Sequence, residues 1–469
     1  MQLSSNTRQT ATGPTLASAS TAPNTATATT SLGNTGIKRN PQVKATELSR
    51  TERVARDRHS TMVKVTLDKD LRWCHIAPRS SEVMVVHNGS GVEGTISGLQ
   101  NTHSRWGSPL AARDIQHKHK VHLGIAIKNW LDGGENRAVV FGVNTVRHHR
   151  GDSLGFLLEG LKSGFASMHR GNWSKDKKHY GITHHHSDYE HTWGWDNGHH
   201  PHKNTVYFLE NALSDTELEA LQASMFGRYV QGVVGAGLKA PTSERGLSLQ
   251  QLTGWGADAA TVAGYIGKGA FSLAAEMTGS ATKTAGEGHF TPGEMLDLLG
   301  SQHSESGEYH PVVLAAYREY EREFKGLRSS WSRGAKKALG IDYVTDEVME
   351  AMEAEMFELA GVEVVERPKP EKRMGVAAVS SDEWKKIRDS WAARDAITAA
   401  CGLADTPESA QALVGAVLDA YGVAWSPRMT PMDDVDLDAV MPSSTQAFAR
   451  DLGTAVWAGN EQRLVPVAG

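Results

Sequence analysis

The stretch Glu190-His191-Thr192-Trp193-Gly194-Trp195-Asp196-Asn197-Gly198-His199-His200-Pro201-His202 decides how this chain is read. Side chains two apart on a strand point to one face, so His200 and His202 would present two imidazoles side by side. Glu190 precedes them across a connection rich in Gly, Asn and Asp. A neighbouring antiparallel strand could bring its carboxylate next to both rings. Two imidazoles plus one carboxylate suit manganese, magnesium, iron or zinc. With open positions, such a site can bind a phosphate oxygen and polarise it. Histidine clusters on surfaces also often bind nothing, so the segment alone leaves both readings open. His184, His185, His186, His191 and His199 read as neighbours of the pair rather than as ligands.

Outward from this stretch, Ala138 to Val143 is a short apolar run rich in β-branched residues, a buried-strand signal. Leu154, Leu157, Leu158, Leu161, Phe165 and Met168 recur at helical steps. Tyr180 to Thr192 and His200 to Leu209 read as two further strands. Strand, helix, strand, strand is an α+β pattern with a central antiparallel sheet and flanking helices. Earlier, Val63, Val65 and Leu67 alternate as in a strand, and Ala111 to Lys120 is a basic helix. Later, Ala257 to Lys268 is a helix weakened by Gly264 and Gly267. Thr291-Pro292-Gly293-Glu294 starts another, with Thr291 as N-cap, and Pro311 to Leu327 a third. An acidic helix begins at Thr345, its Met349, Met352, Met356 and Leu359 stepping as a packing stripe. Pro368 to Lys372 reads as a linker. Beyond it, Ser380 with Glu383 caps one helix, and Thr406-Pro407 opens another that Gly422 ends. The expected organisation is a disordered tail over 1–45, an N-terminal region over 46–130, a catalytic core over 131–343, and a small helical C-terminal domain within 344–469.

The chain has 469 residues, 39% hydrophobic and 22% charged, an ordinary globular composition. No window nears 18 uninterrupted apolar residues, so no membrane span is expected. Two cysteines, Cys74 and Cys401, exclude a disulfide framework and a cysteine-rich zinc site, and a reducing cytoplasm fits. The net charge of −5 does not advertise nucleic-acid binding. Charge is uneven, however: basic residues prevail from Asn136 to Lys203, acidic ones from Asp342 to Glu366. The tail up to about 45 is Ser, Thr, Ala, Asn and Gly, which bury too little surface to offset their ordering entropy.

Tyr265-Ile266-Gly267-Lys268 would place a phenol and an ammonium on one helix face. A phenol is a poor nucleophile at its pKa of about 10. Beside a metal-polarised phosphodiester it can attack in line and form a phosphotyrosine, with Lys268 orienting the phosphate. A core tyrosine with a snorkelling lysine is the other reading of the same four residues.

Together these pieces resemble the replication initiators of small rolling-circle plasmids from Gram-positive bacteria, within the HUH endonuclease superfamily. Val140 to His148 looks like the family's first motif, Glu190 to His202 like its second, and Gly264 to Lys268 like its third. Phe290-Thr291-Pro292 and Trp331-Ser332-Arg333-Gly334 add to the likeness, which covers roughly residues 70 to 340. The resemblance implies an HUH nickase core, with His200 and His202 on a central strand facing Tyr265. It implies a manganese or magnesium ion held by His200, His202 and Glu190, and a transesterification that leaves a 5′-phosphotyrosine and a free 3′ hydroxyl. It also implies single-stranded and origin plasmid DNA, a host helicase and polymerase, and a second copy of the chain as partners. Arg147, Arg328, Trp331, Arg333 and Lys336 would contact DNA, with Lys325 and Lys337 beside them; a packed Trp in a solvated basic helix is the other reading of Trp331 and its neighbours. The departures are specific. Thr102 to Ala111 lacks the cysteines usual ahead of the first motif, Asn204 replaces a histidine, and Thr261 replaces a glutamate one turn before the tyrosine. The alternatives are another HUH enzyme, a relaxase or transposase, or an origin-binding protein whose active site has decayed. A metal hydrolase unrelated to DNA is the remaining rival.

Overall fold

The computed structural model describes residues 50–102, 104, 106–255, 288–359 and 373–432. The tail over 1–45, the linker over 368–372 and the helix expected over 257–268 lie outside the described residues. What is described is an α+β arrangement of two antiparallel sheets with helices against them.

The smaller sheet uses β1 (Glu82–His87) and β2 (Thr95–Ser97), and the larger begins with β3 (Ala138–Thr145). β4 (Ile182–Gly194) and β5 (Gly198–Leu209) then form a long hairpin, joined through Trp195, Asp196 and Asn197. Gly198 closes that turn with φ 72°, a conformation L side chains avoid. β6 (Leu247–Leu252), β7 (His289–Phe290) and β8 (Ser330–Trp331) complete the larger sheet in the order β6-β3-β5-β4-β7, with β8 also on β4. β5 therefore has a strand on each side. One face of the sheet packs Val140, Tyr189 and Tyr207 on the helices Leu154–Met168, Asp215–Gly235 and Pro311–Phe324. The other packs Val139, Val206 and Phe208 beneath the helix Pro109–Asp132, through Val121, Leu123 and Ile127.

The helix start at Thr291 is a complete capping box: Thr291 Oγ1 accepts from the Glu294 backbone N–H, and Glu294 Oε2 accepts from that of Thr291. Three expectations change. Val63 and Val65 lie in a helix, Arg50–Val65, because Ala55, His59, Met62 and Val65 are all buried at three- and four-residue steps. That longer period outweighs a three-residue alternation. A helix over Asp215–Gly235, with a capping box from Ser214 and Glu217, adds to those the sequence patterns predict.

The third change concerns the C-terminal region, which is not helical alone. It opens with β9 (Met374–Ser380) and closes with β10 (Ser426–Pro431), and the smaller sheet runs β10-β9-β1-β2. Val83 pairs with Val379 and Val85 with Ala377. The helices Trp391–Gly402 and Pro407–Ala420 pack on this sheet through Ile397, Val414 and Leu418. Gly375 to Val379 is buried at every position, so it shows no alternation to read as a strand. Among the described residues, no helix is long and apolar enough to cross a membrane.

Candidate functional site

Strand alternation puts the even-numbered residues of β5 on the face that the helix Pro109–Asp132 covers at Phe208 and Val206. Further along, that cover ends and the same face carries Asn204, His202 and His200. The two histidines are half-buried, and their Nε2 atoms are 2.9 Å apart. Glu190 on β4 lies directly opposite His202. Its Oε2 accepts from Asn204 Nδ2 at 3.0 Å. His148, just past β3, stacks on His200 with ring centroids 4.4 Å apart. His289 on β7 brings a further ring to within 6.3 Å of His200.

Burial, then His202, His148 and His289, push the His200 imidazole down to about 2, with Glu190 pulling the other way. Burial also lowers His148. Rings kept neutral at pH 7 are the form that ligates a metal. Two converging imidazoles, with a carboxylate in register beside them, have the donor chemistry of a divalent-metal site. Their geometry stops short of a closed one: among the described residues, no group of three or more His, Cys, Asp or Glu side chains could hold a metal ion. The Glu190 carboxylate accepts from Asn204 through one oxygen, Oε2.

The remaining histidines sort by face. His191 and His199 lie behind the pair, linked at 2.9 Å, and His199 Nε2 is 3.2 Å from Glu319 Oε2. His185 stacks on His169 on that same rear face. His186, on the front, lies under Trp331 at 4.1 Å.

Tyr265 and Lys268 lie outside the described residues. Before them the chain is last described at Trp255, whose indole donates to Glu355 and packs with the front-face cluster. It is described again from Gly288, next to His289.

The residues expected to contact DNA fall in two places. Arg147 is exposed at the end of β3, next to His148. Arg328, Trp331, Arg333 and Lys336 line one cleft of about 940 Å³, together with Lys325 and Lys337. Lys325 is paired with Asp68 at 2.7 Å. Arg328, Arg333, Lys336 and Lys337 are exposed. The cleft also holds Asp70, Glu321 and Asp342, so it is mixed in charge. Burial raises Glu321, although Thr66 donates to it.

His289 carried no signal in the sequence, since it belongs to no motif and reaches His200 only through the pairing of β7 with β4. Asn204 was visible only as a departure. No protein-family model, no curated protein and no solved structure matches this chain.

Proposed function

We propose that this chain is a metal-dependent DNA nickase and strand transferase that starts rolling-circle replication of a plasmid in the cytoplasm, on an HUH-type core. The observation carrying this is the His200–His202 pair on β5, Nε2 atoms converging, with Glu190 in register across the hairpin. His200, His202 and Glu190 would hold a divalent ion, manganese or magnesium. When bound, that ion would polarise a phosphodiester oxygen.

The remaining chemistry belongs to the chain. The Tyr265 phenol loses its proton and its oxygen bonds to phosphorus, while the bond from phosphorus to the 3′ oxygen breaks. The proton ends on that oxygen, giving a 5′-phosphotyrosine and a free 3′ hydroxyl from which a host polymerase, with a host helicase, extends. Lys268 would hold the phosphate, and Arg147 would hold the strand beside His148. Closing the round needs a second transfer, and Thr261 has no basicity to activate water for it. Either Asp258, seven residues before Tyr265, would activate that water, or a tyrosine from a second copy of the chain would perform the closing transfer.

The lack, among the described residues, of three ligating side chains placed to hold a metal favours a second reading, an origin-binding protein that no longer cleaves, which the cysteine-free Thr102 to Ala111 stretch and Thr261 also allow. Incubating the chain with manganese and a random pool of single-stranded 40-mers separates the two. The nickase gives a detergent-resistant protein–DNA adduct that Tyr265→Phe and His202→Ala each abolish. Retained oligonucleotides without any adduct would leave only the binding reading. A relaxase or transposase would join two supplied ends instead of leaving a primer.

A further inference from the structure

We infer that the Trp331 cleft is a base-stacking subsite for single-stranded nucleic acid, set two to five nucleotides from the phosphodiester held at His200 and His202. The spacing rests on the nickase reading of the histidine pair, whereas binding in the cleft does not.

Trp331 on β8 pairs with His186 on β4, and Glu190 on the same strand pairs with His202 on β5. Residues facing each other across an antiparallel pair share a face, so Trp331, His186, Glu190 and His202 all lie on the front of the sheet. The register shift in β4 falls between Ile182 and His184, outside this span, so the alternation holds. From His186 to Glu190 is four residues, about 13 Å of strand, and β8 and β5 flank β4, about 10 Å apart, so Trp331 lies about 16 Å from His202. A single strand rises about 3.4 Å per nucleotide in a stacked helix and roughly twice that when extended. The span therefore corresponds to two to five nucleotides.

The chemistry of the cleft suits such a strand. The Trp331 ring is braced from beneath by His186 at 4.1 Å and Phe208 at 6.5 Å, yet it still lines the cleft. An aromatic plane held in place from one side offers the other to any base. Arg328, Arg333 and Lys336 are exposed around it, and no ion pair is present on any of them among the described residues. The acids of the same cleft are partly spent: Asp68 on Lys325, Glu321 on Thr66. Stacking with scattered cations holds a strand without reading its sequence, which suits a segment beside the cut rather than the cut itself.

The test uses the full chain and fluorescein-labelled dT16 without metal, followed by anisotropy. Trp331→Ala should weaken binding at least about fivefold, the loss of one stacked base, and Trp331→Phe should restore most of it. Because Trp331 also packs on Phe208, the exposed pair Arg333→Ala/Lys336→Ala is the control for folding. It should lower the slope of log affinity against log salt by about 1.4, two phosphate contacts on a single strand. Equal dT16 affinity in the parent and in Trp331→Ala, or an unchanged salt slope in the double variant, would overturn the subsite. In adduct-forming oligonucleotides, an abasic site should impair capture most at two to five nucleotides from the cut. A maximum elsewhere overturns the spacing. A chain that binds dT16 through Trp331 but forms no adduct sinks the nickase reading and leaves the subsite standing.

Discussion

Asn204 Nδ2 donates to Glu190 Oε2 at 3.0 Å, so the carboxylate opposite His202 is held by its neighbour on β5. A hydrogen bond of this kind orients a metal-ligating carboxylate, and its loss typically costs about 10- to 100-fold in metal affinity. Asn204→Ala should weaken manganese binding by about tenfold by calorimetry. Glu190→Ala should weaken it further, and His202→Ala should abolish it while leaving thermal unfolding nearly unchanged. Parent-like affinity in both Asn204→Ala and Glu190→Ala would remove the carboxylate from the ligand set.

Gly198 closes the β4–β5 turn whose register puts Glu190 opposite His202. A Cβ there would stand 3.0 Å from both Cα and the carbonyl oxygen of Arg150, at φ 72°. The left-handed backbone alone costs a side chain about 1–2 kcal/mol. Gly198→Ala should lower stability by at least that amount in urea titration and weaken manganese binding through displaced histidines. A variant as stable as the parent would show that the β4–β5 turn adapts freely.

His169 is pushed down to about 3, by burial first and His185 next. His185 is pushed down to about 4, by burial first and Lys177 next. Both rings are neutral when folded, whereas an unfolded histidine takes a proton near pH 6.5. The unfolded chain then binds more protons, so stability falls as pH drops from about 6.5 towards 4. Each ring contributes a slope of up to about 1.4 kcal/mol per pH unit. His169→Gln should flatten the dependence measured in urea at pH 7.5, 6 and 5. An unchanged slope would mean that the ring is not buried as a neutral group.

β1 obtains its partner strand from the other end of the chain. A chain ending at residue 359 lacks β9 and the helices that bury Val83, Val85 and Ile96. Its amides over 82–97 should lose hydrogen-exchange protection, while those of β3 and β5 keep theirs. Protection retained at Val83 and Val85 would show that β1 and β2 hold without the C-terminal strands. This bears on activity as well, because a fragment trimmed to the motif-bearing region would expose an apolar half-sheet and be prone to aggregate.

The strands around the histidines, the helix from Leu154 and the capping box at Thr291 were legible in the sequence because each depends on residues within a few positions of one another. The two-residue spacing of His200 and His202 likewise requires only that β5 be a strand. Tertiary structure decided what depends on distant partners. The run Gly375 to Val379 becomes a strand only when β1 pairs with it. His289 reaches His200 only because β7 joins β4, and Trp331 faces the histidine side only because β8 takes the same edge. The sequence alone determined which groups could ligate a metal, stack a base or attack a phosphate. Which of them share a face was decided by strand pairing between segments far apart in the chain, whose register no local pattern encodes.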